Sequence, residues 1–212
     1  MELKKKFAII INFLRITLAI AIITSIFYGN WSNLAIASLN LLLTFLPSWF
    51  KKKYNIYIPL DLEFAGIILI YASLYLGEIR SFYIRFWWWD VLLHFIYAIA
   101  FALIGFIILF LLFQTNKIKS SPFLIAVFSF CFSVTIGVLW ELFEYFMDQT
   151  FGLNMQKSGL RDTIWDLITN CAGAGLSSFA GYAYIKGVKP FYFSRLIKLF
   201  IQDNPKLLKN KN

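Results

Sequence analysis

Runs of about 20 apolar residues, the length a helix needs to cross a bilayer, recur along most of this chain. They lie at about 7–28, 31–49, 58–76, 90–113, 123–147 and 163–185. A backbone in lipid must satisfy its own hydrogen bonds, so each run reads as a helix. The expected fold is therefore all-α: a polytopic membrane protein built as a six-helix transmembrane bundle. Short connections predict antiparallel neighbours in one domain over 1–185, followed by a basic tail over 186–212. Composition excludes the alternatives. Charged residues make up 15% of the chain, against about 25% in a soluble domain, and the mean hydropathy is +0.70.

Basic residues set the expected orientation, because Lys and Arg are retained on the cytoplasmic side during insertion. Lys4 to Lys6, Lys51 to Lys53, Lys117, Lys119 and the tail (Lys186, Lys189, Arg195, Lys198, Lys206, Lys209, Lys211) fall on one side. Only Arg80, Arg85, Lys157 and Arg161 fall on the other, and Arg15 lies inside a span. Both termini are thus expected in the cytoplasm, with Trp31 and Trp87 to Trp89 in the outer headgroup belt and Trp49 in the inner one. The apolar run after Lys6 is too long for a signal peptide, and no small-x-small cleavage site follows it, which predicts an uncleaved first span.

The net charge of +9 is on this reading a topological signal. Short loops cannot build the basic face a nucleic acid needs, so the expected partner is membrane lipid and no nucleic acid. The tail from Ser194 carries Leu196, Ile197, Leu199, Phe200 and Ile201 ahead of lysines; it reads as an interfacial helix on anionic lipid or as a frayed basic end. Cys131 and Cys171 lie in apolar runs and behave as small hydrophobes. Gly173, Ser177 and Gly181 recur every four residues, a ridge that lets a neighbouring helix approach.

The acids collect at the outer ends of the last three spans. Asp90 and His94 open the fourth, Glu141, Glu144 and Asp148 close the fifth, and Asp162 and Asp166 open the sixth with Asn170 one turn deeper. Spacings of three and four place each set on one helix face. On lipid these groups would cost roughly 2.5 kcal/mol or more each near the core, so they are expected to share one inward pocket. Several carboxylates and an imidazole there cannot all stay ionised without compensation. A divalent metal, shared protons, or the nearby Arg161 and Arg15 are the available means. Carboxylate plus imidazole suits Mn, Fe or Zn, with Asp90, His94, Glu141, Glu144, Asp162 and Asp166 as candidate ligands. The blander alternatives are helix capping by Asp90 and Asp162 and interhelical hydrogen bonds from His94 and Asn170. Arg15, roughly 13 Å into the first span, is expected to pair with Asp61 or Glu63, or to serve the outer acids as counter-ion.

Three motifs occur in order: Asp90-Val91-Leu92-Leu93-His94-Phe95; Trp140-Glu141-Leu142-Phe143-Glu144-Tyr145 with Asp148; and Arg161-Asp162-Thr163-Ile164-Trp165-Asp166, running on through Asn170 to Gly173 and Ala174. Over about residues 85–185 the chain resembles the YjdF-like bacterial inner-membrane proteins and the wider VanZ-like set. The resemblance implies a multi-pass protein of the bacterial cell membrane and a cell-envelope setting; VanZ itself is associated with resistance to the glycopeptide teicoplanin. A basic residue commonly follows the first VanZ-like aspartate, whereas Val91 stands here.

Three functions fit this pattern. The first is an outer-leaflet site that binds or acts on a lipid headgroup or a lipid-linked envelope precursor. There His94, Glu141 and Glu144 would do acid–base work or hold metal, and Arg161, Asp162 and Asn170 would hold substrate, Arg161 as a phosphate clamp. The second is an ion- or proton-coupled small transporter. The third is a structural or assembly protein whose acids hold three helices together.

Overall fold

The computed structural model describes residues 2–188 and 190–207, the side chains of 2–4 excepted. Lys189, Lys209 and Lys211 of the basic tail lie outside the described residues. Among the described residues every regular element is helical. The helices are α1 (Glu2–Phe27), α2 (Trp31–Leu43), α3 (Leu46–Tyr54), α4 (Leu60–Tyr71), which widens into a π-helical stretch over Ala72–Ile79, the short α5 (Phe82–Arg85), α6 (Trp89–Gln114), α7 (Pro122–Phe151), α8 (Leu160–Ile185) and α9 (Phe191–Asp203).

Among the described residues, four helices are long and apolar enough to cross a membrane: Lys5–Phe27, Leu60–Ile79, Trp89–Gln114 and Pro122–Phe151. The expected second span is not one straight helix. It bends by 42° between α2 and α3, where Pro47 opens the new helix and cannot donate into the old one. Counting that pair as one gives up to five. The expected sixth span is α8. Its 26 residues would reach about 39 Å at 1.5 Å per residue, but its composition is too polar to pass on apolar content alone. Its polar side chains Asp166, Thr169, Asn170, Ser177 and Ser178 are buried. Trp165, Ile168, Leu176 and Phe179 face outward, Phe179 at 69% exposure. The helix is thus apolar outside and polar inside, the reverse of a water-soluble amphipathic helix.

By internal contacts the chain divides into two compact units. The first runs up to Trp89 and includes Leu199–Asn204. In it Phe7 stacks on Phe64 with ring centroids 4.1 Å apart, and Thr17 shares a 2.9 Å hydrogen bond with Tyr71, so α1 and α4 run parallel. Arg15 does not take the expected carboxylate as hydrogen-bond partner. Its Nε donates to Thr44 Oγ1 at 3.0 Å and its second amino group to the Thr44 carbonyl at 2.9 Å, while the guanidinium lies 4.0 Å over the Phe45 ring. The α2–α3 bend frees the Thr44 carbonyl at the helix end, and this oxygen with the Thr44 hydroxyl satisfies the arginine.

The second unit holds α6, α7 and α8. Ser129 donates to the Ala102 carbonyl at 2.6 Å and Ser133 to that of Ala98 at 2.8 Å, a register that requires α6 and α7 to be antiparallel. Ser178 donates to Ser129 at 3.1 Å, and Gly137 lies against Asn170, which makes α7 and α8 antiparallel too. The expected glycine ridge packs where small residues are needed. A Cβ on Gly173 would strike the Phe95 carbonyl, and one on Gly181 the Phe106 ring. Around Ala98, Ala102 and Ala174 the three backbones approach closely, with Phe130 and Val134 closing the core. Hydroxyl groups bonded to helix carbonyls serve as the interhelical glue that a membrane interior favours.

Candidate functional site

The antiparallel order of α6, α7 and α8 gathers the start of α6, the end of α7 and the start of α8 at one end of the second unit. His94, one turn into α6, is 8% exposed. Its Nε2 lies 3.6 Å from Asp90 Oδ1 and 4.0 Å from Asp166 Oδ2; its Nδ1 lies 3.9 Å from Glu141 Oε1. Glu141 and Asp166 are 4% and 2% exposed. The four residues the spacings assign to inward faces therefore meet around one imidazole.

One donor atom from each of Asp90, His94 and Asp166 lies within 4.8 Å of the others. A tetrahedral ion bound at about 2.0–2.2 Å sets its donors roughly 3.3–3.6 Å apart, so small side-chain movements would close this triangle on a metal. The donor chemistry, two carboxylates and an imidazole, fits Mn, Fe or Zn. Glu141 adds a second indication. Both of its oxygens are buried without a well-aligned hydrogen bond, though the Thr163 hydroxyl lies beside the carboxylate, a costly arrangement unless something neutralises the charge. Its place at the far ring nitrogen is that of a carboxylate orienting a metal-bound histidine.

The other expected residues divide. Asn170 is buried beside His94, its amide nitrogen without a well-aligned hydrogen bond. Asp162 is half-buried in the first turn of α8, and its Oδ2 is buried without a partner. Glu144 is half-buried, and its Oε1 accepts from the Trp140 indole at 3.0 Å, so it borders the triangle without belonging to it. Asp148 turns to the backbone: its two oxygens accept from the Met155 and Gln156 N–H groups at 2.7 and 2.9 Å. Arg161 is exposed and makes no ion pair with the cluster.

The cation beside the acids is instead Lys157, whose Nζ lies 3.6 Å from Asp90 Oδ2. It stands in the α7–α8 loop, between Gly152 and Gly159, both at φ +64°, where glycine alone adopts the turn freely. The sequence signal was present. Lys157 is one of few basic residues in sequence near these acids, but its distance along the chain from Asp90 hid the pairing.

The chain belongs to the DUF2238 family of predicted membrane proteins, whose model matches residues 10–187. It is 28% identical over 140 residues to an uncharacterised protein of Thermotoga maritima, a match covering 61% of this chain and 66% of that protein. No solved structure matches the chain.

Proposed function

We propose, with membership of this predicted-membrane-protein family as the premise, that the chain is a multi-pass protein of a bacterial inner membrane. Its α6–α8 end would hold a divalent metal and bind, and act on, a lipid headgroup or lipid-linked envelope precursor. The observation that carries this reading is the triangle of Asp90, His94 and Asp166 within 4.8 Å. Behind it stands Glu141, whose buried oxygens form no well-aligned hydrogen bond, with the Thr163 hydroxyl beside them.

In this reading Asp90, His94 and Asp166 hold the metal. Glu141 fixes the imidazole through Nδ1, and Asp162 and Asn170 border the substrate. Glu144, at the rim, is placed for acid–base work. Lys157 takes the anion-holding role first assigned to Arg161, because it already lies against the cluster. A bound metal supplies Lewis-acid polarisation of a phosphoryl oxygen and a more acidic water.

Topology belongs to the same proposal. Lys117, Lys119 and Lys186 stand at the opposite end of α6–α8 from the acids. The positive-inside rule then turns the acidic end outward and both termini inward. The outward apolar face of α8 supports it as a further crossing helix. The finer YjdF-like or VanZ-like placement rests on the three motifs alone. The site lies where α6 and α8 begin and α7 ends, and none of the three helices is interrupted along its length, unlike the broken helices on which carriers build their sites.

The test is the metal content of the purified protein, read beside the lipid and lipid-linked precursor profiles of cells. We expect about one divalent ion per chain, lost in His94→Ala and Asp166→Asn, and altered profiles in both variants. A metal-free wild-type protein and unchanged profiles would overturn the reading. Cation flux in vesicles that Asp166→Asn abolishes, with lipids unaltered, would replace it by transport.

A further inference from the structure

At the other end of the same unit, the last turns of α6 and α8 and Lys198 in the middle of α9 line an open slot of roughly 490 Å3, within the range of about 300–1,000 Å3 typical of ligand sites. Its wall is apolar: Phe110, Phe113, Tyr184 and Ile185. Gln114 and Lys198 bring an amide and an ammonium group to it, beside the Tyr184 ring with its hydroxyl. The wall is held in place by ring packing. Phe110 meets Tyr184 edge-on at 5.7 Å. Phe193 anchors α9 between Phe106 at 5.2 Å and Tyr184 at 6.4 Å.

We propose that this slot binds one anionic phospholipid, its chain along the aromatic wall and its phosphate at Lys198 and Gln114. The site is separate from the acidic one and does not rest on the function proposed for it. The two halves of the slot call for an amphiphile. A soluble anion would use the lysine and leave the aromatic wall wet, whereas an uncharged chain would leave Lys198 unused. Charge at this end selects the anionic lipid. Lys117 and Lys119 are exposed in the α6–α7 loop and Lys186 at the end of α8, and each lysine near a membrane surface adds to the attraction for anionic headgroups. The location agrees, since Gln114 and Ile185 are the last residues of their helices, where a headgroup meets the hydrocarbon. The helix α9 thus gains a role beyond lying on the surface: Phe193 packs it against Phe106 and Tyr184, and its Lys198 borders the slot.

The experiment uses the full chain in detergent, titrated with phosphatidylglycerol or phosphatidylcholine of identical chains and read by native mass spectrometry. Phosphatidylglycerol should bind preferentially, and Lys198→Glu, which reverses the charge, should weaken it by at least about fivefold. Lys206→Glu makes the same charge change at an exposed residue away from the slot and should leave binding close to wild type. Ile185→Trp fills the slot and should weaken both lipids. Equal affinity for the two lipids, or equal loss in Lys198→Glu and Lys206→Glu, overturns the proposal in favour of diffuse surface charge. Displacement of phosphatidylglycerol by equimolar inorganic phosphate would overturn the use of the apolar wall. Should Ile185→Trp fail to fold, the comparison of the two exposed lysines decides the matter by itself.

Discussion

Glu141 Oε1 stands 3.9 Å from His94 Nδ1, beyond the roughly 2.7–3.2 Å of a hydrogen bond, while the opposite ring nitrogen faces Asp90 and Asp166. The imidazole is therefore set between one carboxylate on α7 and two at the starts of α6 and α8. Its two nitrogens have different tasks in any metal-bound state. Glu141→Gln keeps the shape and removes the charge, so it should weaken divalent-metal affinity by about 10–100-fold, whereas His94→Ala should remove binding. Competition with a chelator of known affinity measures both. Equal affinity in Glu141→Gln and wild type would falsify the orienting role.

Metal affinity should also depend on pH in a fixed direction. Carboxylates and imidazole bind a metal only when deprotonated, so protons compete for the same atoms. Affinity should rise from pH 5.5 to 7.5 and fall again on acidification. A profile flat across that interval contradicts a site containing His94.

Lys157 and a metal compete for Asp90. With the ammonium 3.6 Å from Oδ2, Lys157→Met removes a positive charge from the cluster and should tighten metal binding, while weakening retention of any phosphate-bearing ligand. Weaker metal binding in this variant would show that the lysine serves the site in another way.

Asp148 has a structural task that can be separated from the site. Its carboxylate accepts from two backbone N–H groups of the α7–α8 loop, and hydrogen bonds to a charged group contribute about 1.5–3 kcal/mol. Asp148→Ala should speed proteolysis between 152 and 159 and lower the unfolding temperature. Metal content per folded chain should stay near one. Unchanged proteolysis would remove the capping account.

The glycine ridge predicts a contrast within one helix. A Cβ on Gly173 would collide with backbone oxygen of Phe95, which cannot move aside, whereas one on Gly175 would lie 4.0 Å from the Phe130 ring. Gly173→Ala should destabilise by about 1–3 kcal/mol, the usual cost of overpacking, and Gly175→Ala by much less. Thermal unfolding in detergent measures both, and equal losses would show that α6 and α8 do not pack through Gly173.

Much of this architecture was legible because lipid admits few solutions. Apolar runs long enough to span must become helices, and acids near the ends of such helices must find one another or leave the lipid. The meeting of Asp90, His94, Glu141 and Asp166 follows from spacing and antiparallel order. The bend at Thr44 and Phe45 was harder to read, because nothing in the local pattern says that Arg15 will satisfy the freed carbonyl. The polar composition of α8 concealed it from a purely apolar criterion. Its serines, threonine and asparagine are unfavourable on lipid and favourable only once α6 and α7 cover them.

The sequence alone determined an all-helical membrane protein with a pole rich in acids and a pole rich in lysines, since both follow from transfer energies along the chain. Tertiary structure decided which of those charged groups act together. It placed Lys157 rather than Arg161 beside Asp90, turned Asp148 to the loop and Glu144 to Trp140, and brought Lys198 to an aromatic slot. The reason is physical. Burial and pairing depend on distances between helices far apart in sequence, and those distances are set by where glycine, alanine and serine let the backbones approach.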